Sequence, residues 1–135
     1  MRIAALFVAL SVIFSSVSAL AGDVTAAQGV IRAQEQAFAR DDASAAYSHA
    51  APAIRELFPA PDTFMSMVQN GYPPVYRHKS FEFGESKSEG NWISQHVHIV
   101  DANGETWEAL YTLEQQSDGS YKITGCSLLK VGREA

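Results

Sequence analysis

One cysteine stands in 135 residues. With Cys126 alone, no internal disulfide can staple the fold, and metal sites built on paired cysteines are excluded. Basic residues are also in short supply: ten Lys and Arg against fifteen Asp and Glu leave a formal charge of −5. No basic stripe is available for a phosphate backbone, so nucleic acid is not an expected partner. An anionic membrane surface is disfavoured for the same reason. No apolar run reaches the ~20 residues that a spanning helix needs. No GxSxG, HExxH, P-loop or CxxC pattern occurs, which removes the common sequence signatures of nucleophilic, zinc-hydrolytic, nucleotide and dithiol chemistry. Repeats and low-complexity tracts are absent. What remains is a length suited to one domain. The 47% hydrophobic and 19% charged residues place that domain among globular proteins.

The first segment has three zones. Met1-Arg2 carries positive charge, Ile3 to Phe14 is apolar except for Ser11, and Ser15 to Ala21 is small and ends Ala19-Leu20-Ala21. That order is the charged, apolar and A-x-A pattern of a secretory signal. The competing reading is an uncleaved anchor, but serines dilute its second half. The expectation is a signal peptide over 1–21, a single α+β domain over 22–135, export to the periplasm or beyond, and no membrane span after cleavage. No cysteine follows the signal, so lipid attachment at the new N-terminus is excluded.

Helical spacing governs the first half of the domain. Val24, Ala27, Ile31, Gln34 and Phe38 recur at three- and four-residue intervals, predicting a helix over Asp23 to Arg40 with Asp23 or Thr25 as its cap. Gln34 interrupts this stripe. It is either a buried amide needing a partner or a point where the stripe rotates. Asp41-Asp42 is expected to cap a short helix running to Ala51. Pro52 starts another helix to Phe58, and Pro61-Asp62 one that Asn70-Gly71 ends with a left-handed glycine. Pro73-Pro74 is expected to force an extended entry into a sheet. From there the period is two. Val75–Lys79 is expected to begin the sheet and Ser80–Gly84 to form a second short strand, followed by strands at Trp92–Val100, Glu105–Gln116 and Tyr121–Leu129, with a polar turn over Ser86–Asn91 and hairpins at Asp101–Gly104 and Ser117–Ser120. Gly125 reads as a bulge or a close approach. Helices gathered ahead of an antiparallel meander mean α+β, one helical layer on one sheet face.

The chain resembles domain-of-unknown-function family 4864, small exported bacterial proteins. The residues that carry the likeness are Ala37-Phe38 with Asp41-Asp42, Tyr47 with Ala50-Ala51-Pro52, and Phe64 with Met67-Val68. They continue with Gly71-Tyr72, Pro74-Val75-Tyr76-Arg77, Phe83-Gly84, the alternation Trp107, Ala109, Tyr111, Leu113-Glu114, Asp118-Gly119 and Gly125-Cys126. The element order is similar to the nuclear-transport-factor-like superfamily, which implies a cone: helices packed on a curved antiparallel sheet of about four strands. The resemblance brings no activity, because that fold hosts enzymes, binders and assembly modules alike.

Three features carry candidate chemistry. His96 and His98, at i and i+2 on a strand, project to one face about 6.5–7 Å apart. Glu108 on the next strand can face them, so the three are weak metal candidates. Val97 and Ile99 claim the core, however, so a solvated outer face is the stronger reading and no metal or other cofactor is expected. Cys126 reads as a small buried hydrophobe, with a redox thiol as the competing reading. Tyr76, Gln95, Trp107 and Tyr111, with Tyr72, Arg77 and His78 near the helix-to-sheet junction, are candidates to line an aromatic pocket in a cone mouth. The competing reading makes Trp107 and Tyr111 plain core. The apolar alternations hold no carboxylate, which argues against ketosteroid-isomerase chemistry.

These features favour a non-catalytic ligand-binding or protein-interaction module of the cell envelope. Its partner would be a small apolar ligand or an envelope protein, and a homodimer through the sheet face is one further arrangement. The alternatives are an enzyme acting on a small apolar molecule and a metal binder through His96 and His98. The exported protein is expected to begin at Gly22; N-terminal sequencing that finds Met1 retained would contradict the signal peptide.

Overall fold

The computed structural model describes residues 15–132, with side chains from Gly22 onward. Among the described residues five helices precede four strands. They are α1 Ser15–Ala39, α2 Ala43–Ser48, α3 Pro52–Leu57, α4 Pro61–Gly71 and α5 Pro73–Tyr76, then β1 His78–Glu89, β2 Trp92–Asp101, β3 Thr106–Gln115 and β4 Tyr121–Lys130. The strands form one open antiparallel sheet in the order β1-β2-β3-β4, so the domain is α+β with its helices segregated ahead of the sheet. No helix among the described residues is long and apolar enough to cross a membrane. Residues 1–14 of the expected signal peptide lie outside the described residues.

The stripe on α1 buries Ala27, Ile31, Gln34, Ala37 and Phe38 against the inward faces of the strands and the shorter helices. Gln34 resolves as a buried amide with a partner: its Nε2 donates to the Ala46 carbonyl at 3.1 Å. The helix does not start at Asp23. It runs upstream through Ser15–Ala21, whose alanines and leucine favour helix, so Asp23 and Thr25 are interior residues and not caps. At its other end Asp41 adopts φ 57°, turning the chain into α2, where Asp42 accepts from Ala45 N at 3.0 Å.

Two expectations near the junction are corrected. Gly71 is the last residue of α4 and is not left-handed; Tyr72 follows at φ −133°. Pro73-Pro74 does not extend the chain. The two prolines open the single turn α5, where their fixed φ is already helical and their missing N–H groups would have been unpaired. The sheet therefore begins at His78.

The first strand also differs from expectation. Ser86–Glu89 is strand, not turn, and β1 is one element of twelve residues. The reason is a bulge. Phe83 pairs with Val97 and Ser86 with Gln95, so Gly84 and Glu85 together oppose His96. A bulge leaves carbonyls without ladder partners. Here the side chain of Gln95 serves them, Nε2 donating to Gly84 O at 3.0 Å and Glu85 O at 3.3 Å and also lying 2.8 Å from His96 O. Gln95 Oε1 accepts from Gln28 of α1 at 3.0 Å. Gly84 also leaves room for the His98 ring: a Cβ there would stand 2.5 Å from its Nε2, and that exposed ring would have to move.

Lys79 makes a further irregularity at the start of β1, since His78 pairs with Asp101 and Ser80 with Val100; another bulge lies in β4, where Thr112 pairs with Gly125 but Leu113 with Ile123. The extra residue reverses the alternation, so Ile123, Cys126 and Leu128 all face the helices. Gly125 thus acts as the expected bulge. The outward edge of β4 is covered in part by the α2–α3 junction, with Ile123 N donating to His49 O and Ala51 N donating to Ile123 O.

Gln95→Leu keeps the volume but strips the bulged carbonyls and Gln28 of a partner. Urea melts should show a loss of about 2–4 kcal/mol; a loss below about 0.5 kcal/mol would mean that the bulge does not depend on this amide.

Candidate functional site

The helices do not cover the sheet evenly. Between α3, α4 and α5 on one side and the middle of β3 and β4 on the other lies an open cleft of about 380 Å³. Prolines set its walls. Pro52, Pro61 and Pro73 each open a short helix, so the chain between α2 and β1 changes direction three times and frames a mouth instead of a continuous layer. Phe64 anchors that wall, its ring centroid 5.7 Å from Tyr47, 6.2 Å from Phe38 and 6.5 Å from Phe58. The Tyr47 hydroxyl donates to Phe58 O at 2.7 Å, holding the end of α3. Phe38, Phe58, Met67, Val68 and Tyr72 line the mouth, and Tyr111, Gly125 and Cys126 form the strand side.

Tyr111 and Cys126 are cross-strand partners on β3 and β4. Tyr111 is buried. Its hydroxyl is pushed well above its ordinary range, first by burial and then by the neighbouring Cys126 and the charge of Glu35. Burial pushes the Cys126 thiol up to about 12, against the opposing effect of a hydrogen bond from Tyr111. Both groups are therefore protonated at neutral pH. No Asp, Glu, Lys, Arg or His lines the cleft.

Of the pocket residues expected from sequence, the structure brings Tyr111 and Tyr72 to the cleft and leaves the others elsewhere. Gln95 has the expected inward parity, but its amide is consumed by the bulge and by Gln28. Trp107 is half-buried at the far end of β3. Its indole donates to Asp101 Oδ2 at 2.9 Å, and the other carboxylate oxygen accepts from Asn103 N and Glu105 N, fixing the β2–β3 hairpin. Tyr76 sits on the surface and donates to Asp41, whose carboxylate also takes Arg77 at 3.0 Å. Arg77 Nη1 donates to Phe38 O as well, closing the C-terminal end of α1. Cys126 joins the cleft because the bulge turns it inward; without that extra residue, alternation from Ile123 would point it outward.

His96 and His98 lie on the outer face as their parity predicts, with Val97 and Ile99 fully buried between and beside them. Glu108 comes between the rings. Its Oε1 is 2.9 Å from His96 Nδ1 and its Oε2 2.6 Å from His98 Nδ1. Each carboxylate oxygen thus engages a ring nitrogen, and among the described residues no group of three or more His, Cys, Asp or Glu is disposed to hold a metal ion.

A carboxylate that the strand alternation cannot reveal comes from α1. Glu35 meets His78 Nε2 at 2.5 Å and Arg32 Nη1 at 2.5 Å, and both of these partners lie against the Phe81 ring. His78 Nδ1 also lies 2.9 Å from Pro74 O, so the cluster binds α1, α5 and β1 together. Burial alone would raise the Glu35 pKa; the His78 and Arg32 hydrogen bonds and charges outweigh it and hold the carboxyl below its ordinary value of 4.5. Nothing in the local sequence marks Glu35, since its partners lie three and forty-three residues away.

A family model described as a domain of unknown function, DUF4864, matches residues 21–135. No curated protein and no solved structure matches the chain.

Two outcomes follow from this geometry. A carboxylate whose pKa is depressed on folding stabilises above the unfolded value, and that contribution is lost as pH falls through the folded value. The stability difference between wild type and Glu35→Gln should be full at neutral pH and shrink below pH 4.5; acid and neutral melts with an unchanged gap would deny the ion-pair role. The Cys126 thiol should react with iodoacetamide at neutral pH far more slowly in the folded protein than in urea; equal rates would place it in open solvent.

Proposed function

The chain belongs to the DUF4864 family, and on that premise we propose that it is an exported, non-catalytic binding module that holds a small apolar molecule in the cleft between α3–α5 and β3–β4. The observation that carries this reading is the cleft itself. Its volume of about 380 Å³ falls in the range of small-molecule sites, about 300–1,000 Å³. Its walls are aromatic and aliphatic, with a few polar tips at the floor. Such a surface left open to water is unfavourable by about 25 cal/mol for each Å² of apolar area, and a ligand that covers it recovers that energy.

Binding without catalysis is favoured by the protonation of the floor. General acid–base or nucleophilic work at neutral pH needs a group poised near 7 or a thiolate. The two groups present, Tyr111 and Cys126, are both pushed upward, away from that range. In this reading the sheet is a nuclear-transport-factor-like cone, and the bulges of β1 and β4 supply its curvature, because bulges bend a strand and increase its twist. The apolar run Ile3 to Phe14 with Ala19-Leu20-Ala21 supports export, and the family model begins within one residue of the proposed cleavage point.

Native mass spectrometry of the protein from a cell-envelope extract should find a small-molecule adduct that disappears in Val68→Trp, which fills the cleft. An adduct that persists in Val68→Trp would place binding elsewhere. Wild-type protein with no adduct and no thermal shift from any apolar compound would overturn the reading.

A further inference from the structure

We propose that β4 pairs antiparallel with β4 of a second copy of this chain, edge to edge, through residues 126–130. The contact is the rim of the sheet and not its outer face, and it does not depend on the cleft being a binding site.

The sheet has two edges, β1 and β4, and the chain treats them differently. A free edge presents unpaired N–H and C=O groups that invite another strand, and charges and bulges discourage it. β1 carries Lys79, Glu82, Glu85, Lys87 and Glu89, and it is bulged at Gly84 and Glu85. In β4, residues 123–129 hold no charge. The fold itself uses the start of this edge. The N–H and C=O of Ile123 both turn away from β3 and bond to His49 O and Ala51 N. Beyond that point the edge is free. Val131 N donates to Thr106 O at 3.0 Å. By the alternation of an antiparallel ladder, Lys130, Leu128 and Cys126 therefore direct their N–H and C=O groups away from β3. Among the described residues no backbone group meets them there. Leu129 and Val131, 70% and 46% exposed, stand beside them on the outer face.

The strand is its own complement, which identifies the partner as a second copy. A two-fold axis at Leu128 sets Leu128 against Leu128, and Cys126 against Lys130 of the second copy. This register pairs all three outward-directed residues of each chain in about six hydrogen bonds, two for each opposed pair. Leu129 then lies opposite Ser127 and diagonal to the second Leu129, within reach of a side chain on the same face. Lys130 brings no loose charge, since Glu105 holds it at 3.1 Å. Two copies of formal charge −5 approach most closely where neither strand is charged. The two-fold contact also closes: it covers both β4 edges and leaves only the charged β1 edges outside.

The test is sedimentation of the exported protein between about 10 μM and 1 mM, the range of a small interface, with amide hydrogen exchange followed by NMR at both ends. The mass should rise toward that of two copies, and the amides of Cys126, Leu128 and Lys130 should gain protection only as it does. Leu129→Lys sets a lysine from each copy near the axis. Lys130→Pro removes an outward N–H, which an edge strand tolerates because that N–H is not in its ladder. Each change acts twice across the two-fold axis and should weaken the dimer at least about tenfold, with the melting temperature of dilute protein unchanged. Trp92→Lys, at an exposed position of the outer face, should leave the dimer intact. A monomer throughout the range would overturn the inference. So would a dimer that Trp92→Lys disperses and Leu129→Lys and Lys130→Pro spare, which would place the contact on the outer face. Protection of the three amides that does not vary with concentration would overturn it too, since another part of the chain would then cover the edge. Should Lys130→Pro fail to fold, Leu129→Lys and the exchange pattern decide.

Discussion

The arrangement depends on one buried amide. Gln95 is fully buried in the central strand β2, and its side chain is the partner of the two carbonyls that the β1 bulge releases. The carbonyls lie at a half-buried sheet edge, and a net hydrogen bond to each is worth about 0.5–1.5 kcal/mol, so this amide stabilises the bulge. The same group accepts from Gln28, which fixes the position of α1 over the sheet. An apolar residue at 95 would fit the alternation of Ile93, Val97 and Ile99 but would leave Gln28 and the two bulge carbonyls without this partner.

The β4 bulge, at Thr124 and Gly125, has a different consequence. The bulge at Gly84 and Glu85 is tied to Gln95, whereas this one selects which side chains face the helices. It moves Cys126 and Leu128 to the inner face and sets the thiol against Tyr111. The helical layer meets the sheet as three short proline-opened segments instead of one continuous helix. The cleft lies where these short segments leave the middle of β3 and β4 uncovered. Its apolar character follows from what lines it: residues placed for packing that have been left without a neighbour.

Charge is kept away from that cleft and spent on fastening. Arg77 and Asp41 close the end of α1, the Asp101 carboxylate fixes a hairpin and its tryptophan, and Glu35 joins α1 to α5 and β1 through His78. On the outer face Glu108 does the same for two histidines of one strand. Asp41 and Glu35 draw partners from sites distant in sequence, whereas Asp101 fixes its own hairpin, and all serve a domain with a single cysteine and no disulfide to restrain it.

Periodicity by itself determined the class of the fold: the α1 stripe, the capping Asp42, the proline starts of α3 and α4, and the alternation of β2 and β3 all follow from local steric and burial rules. The outward parity of His96 and His98 was legible for the same reason, since Val97 and Ile99 fix the face between them. What local rules cannot supply is the length of β1, the turn at Pro73-Pro74, and the membership of the cleft. A proline pair is compatible with both an extended chain and a helical first turn, and only packing against α4 and the sheet selects between them. Gln95 and Trp107 have the right parity for a pocket, but their polar atoms are claimed by carbonyls and a carboxylate that strand pairing brings to them. Cys126 has the wrong parity until one extra residue is counted into β4. Tyr111 alone of the four proposed pocket residues reaches the cleft, because the tertiary fold, through strand pairing and its bulges, decides which inward-facing side chains meet a neighbour and which meet open space.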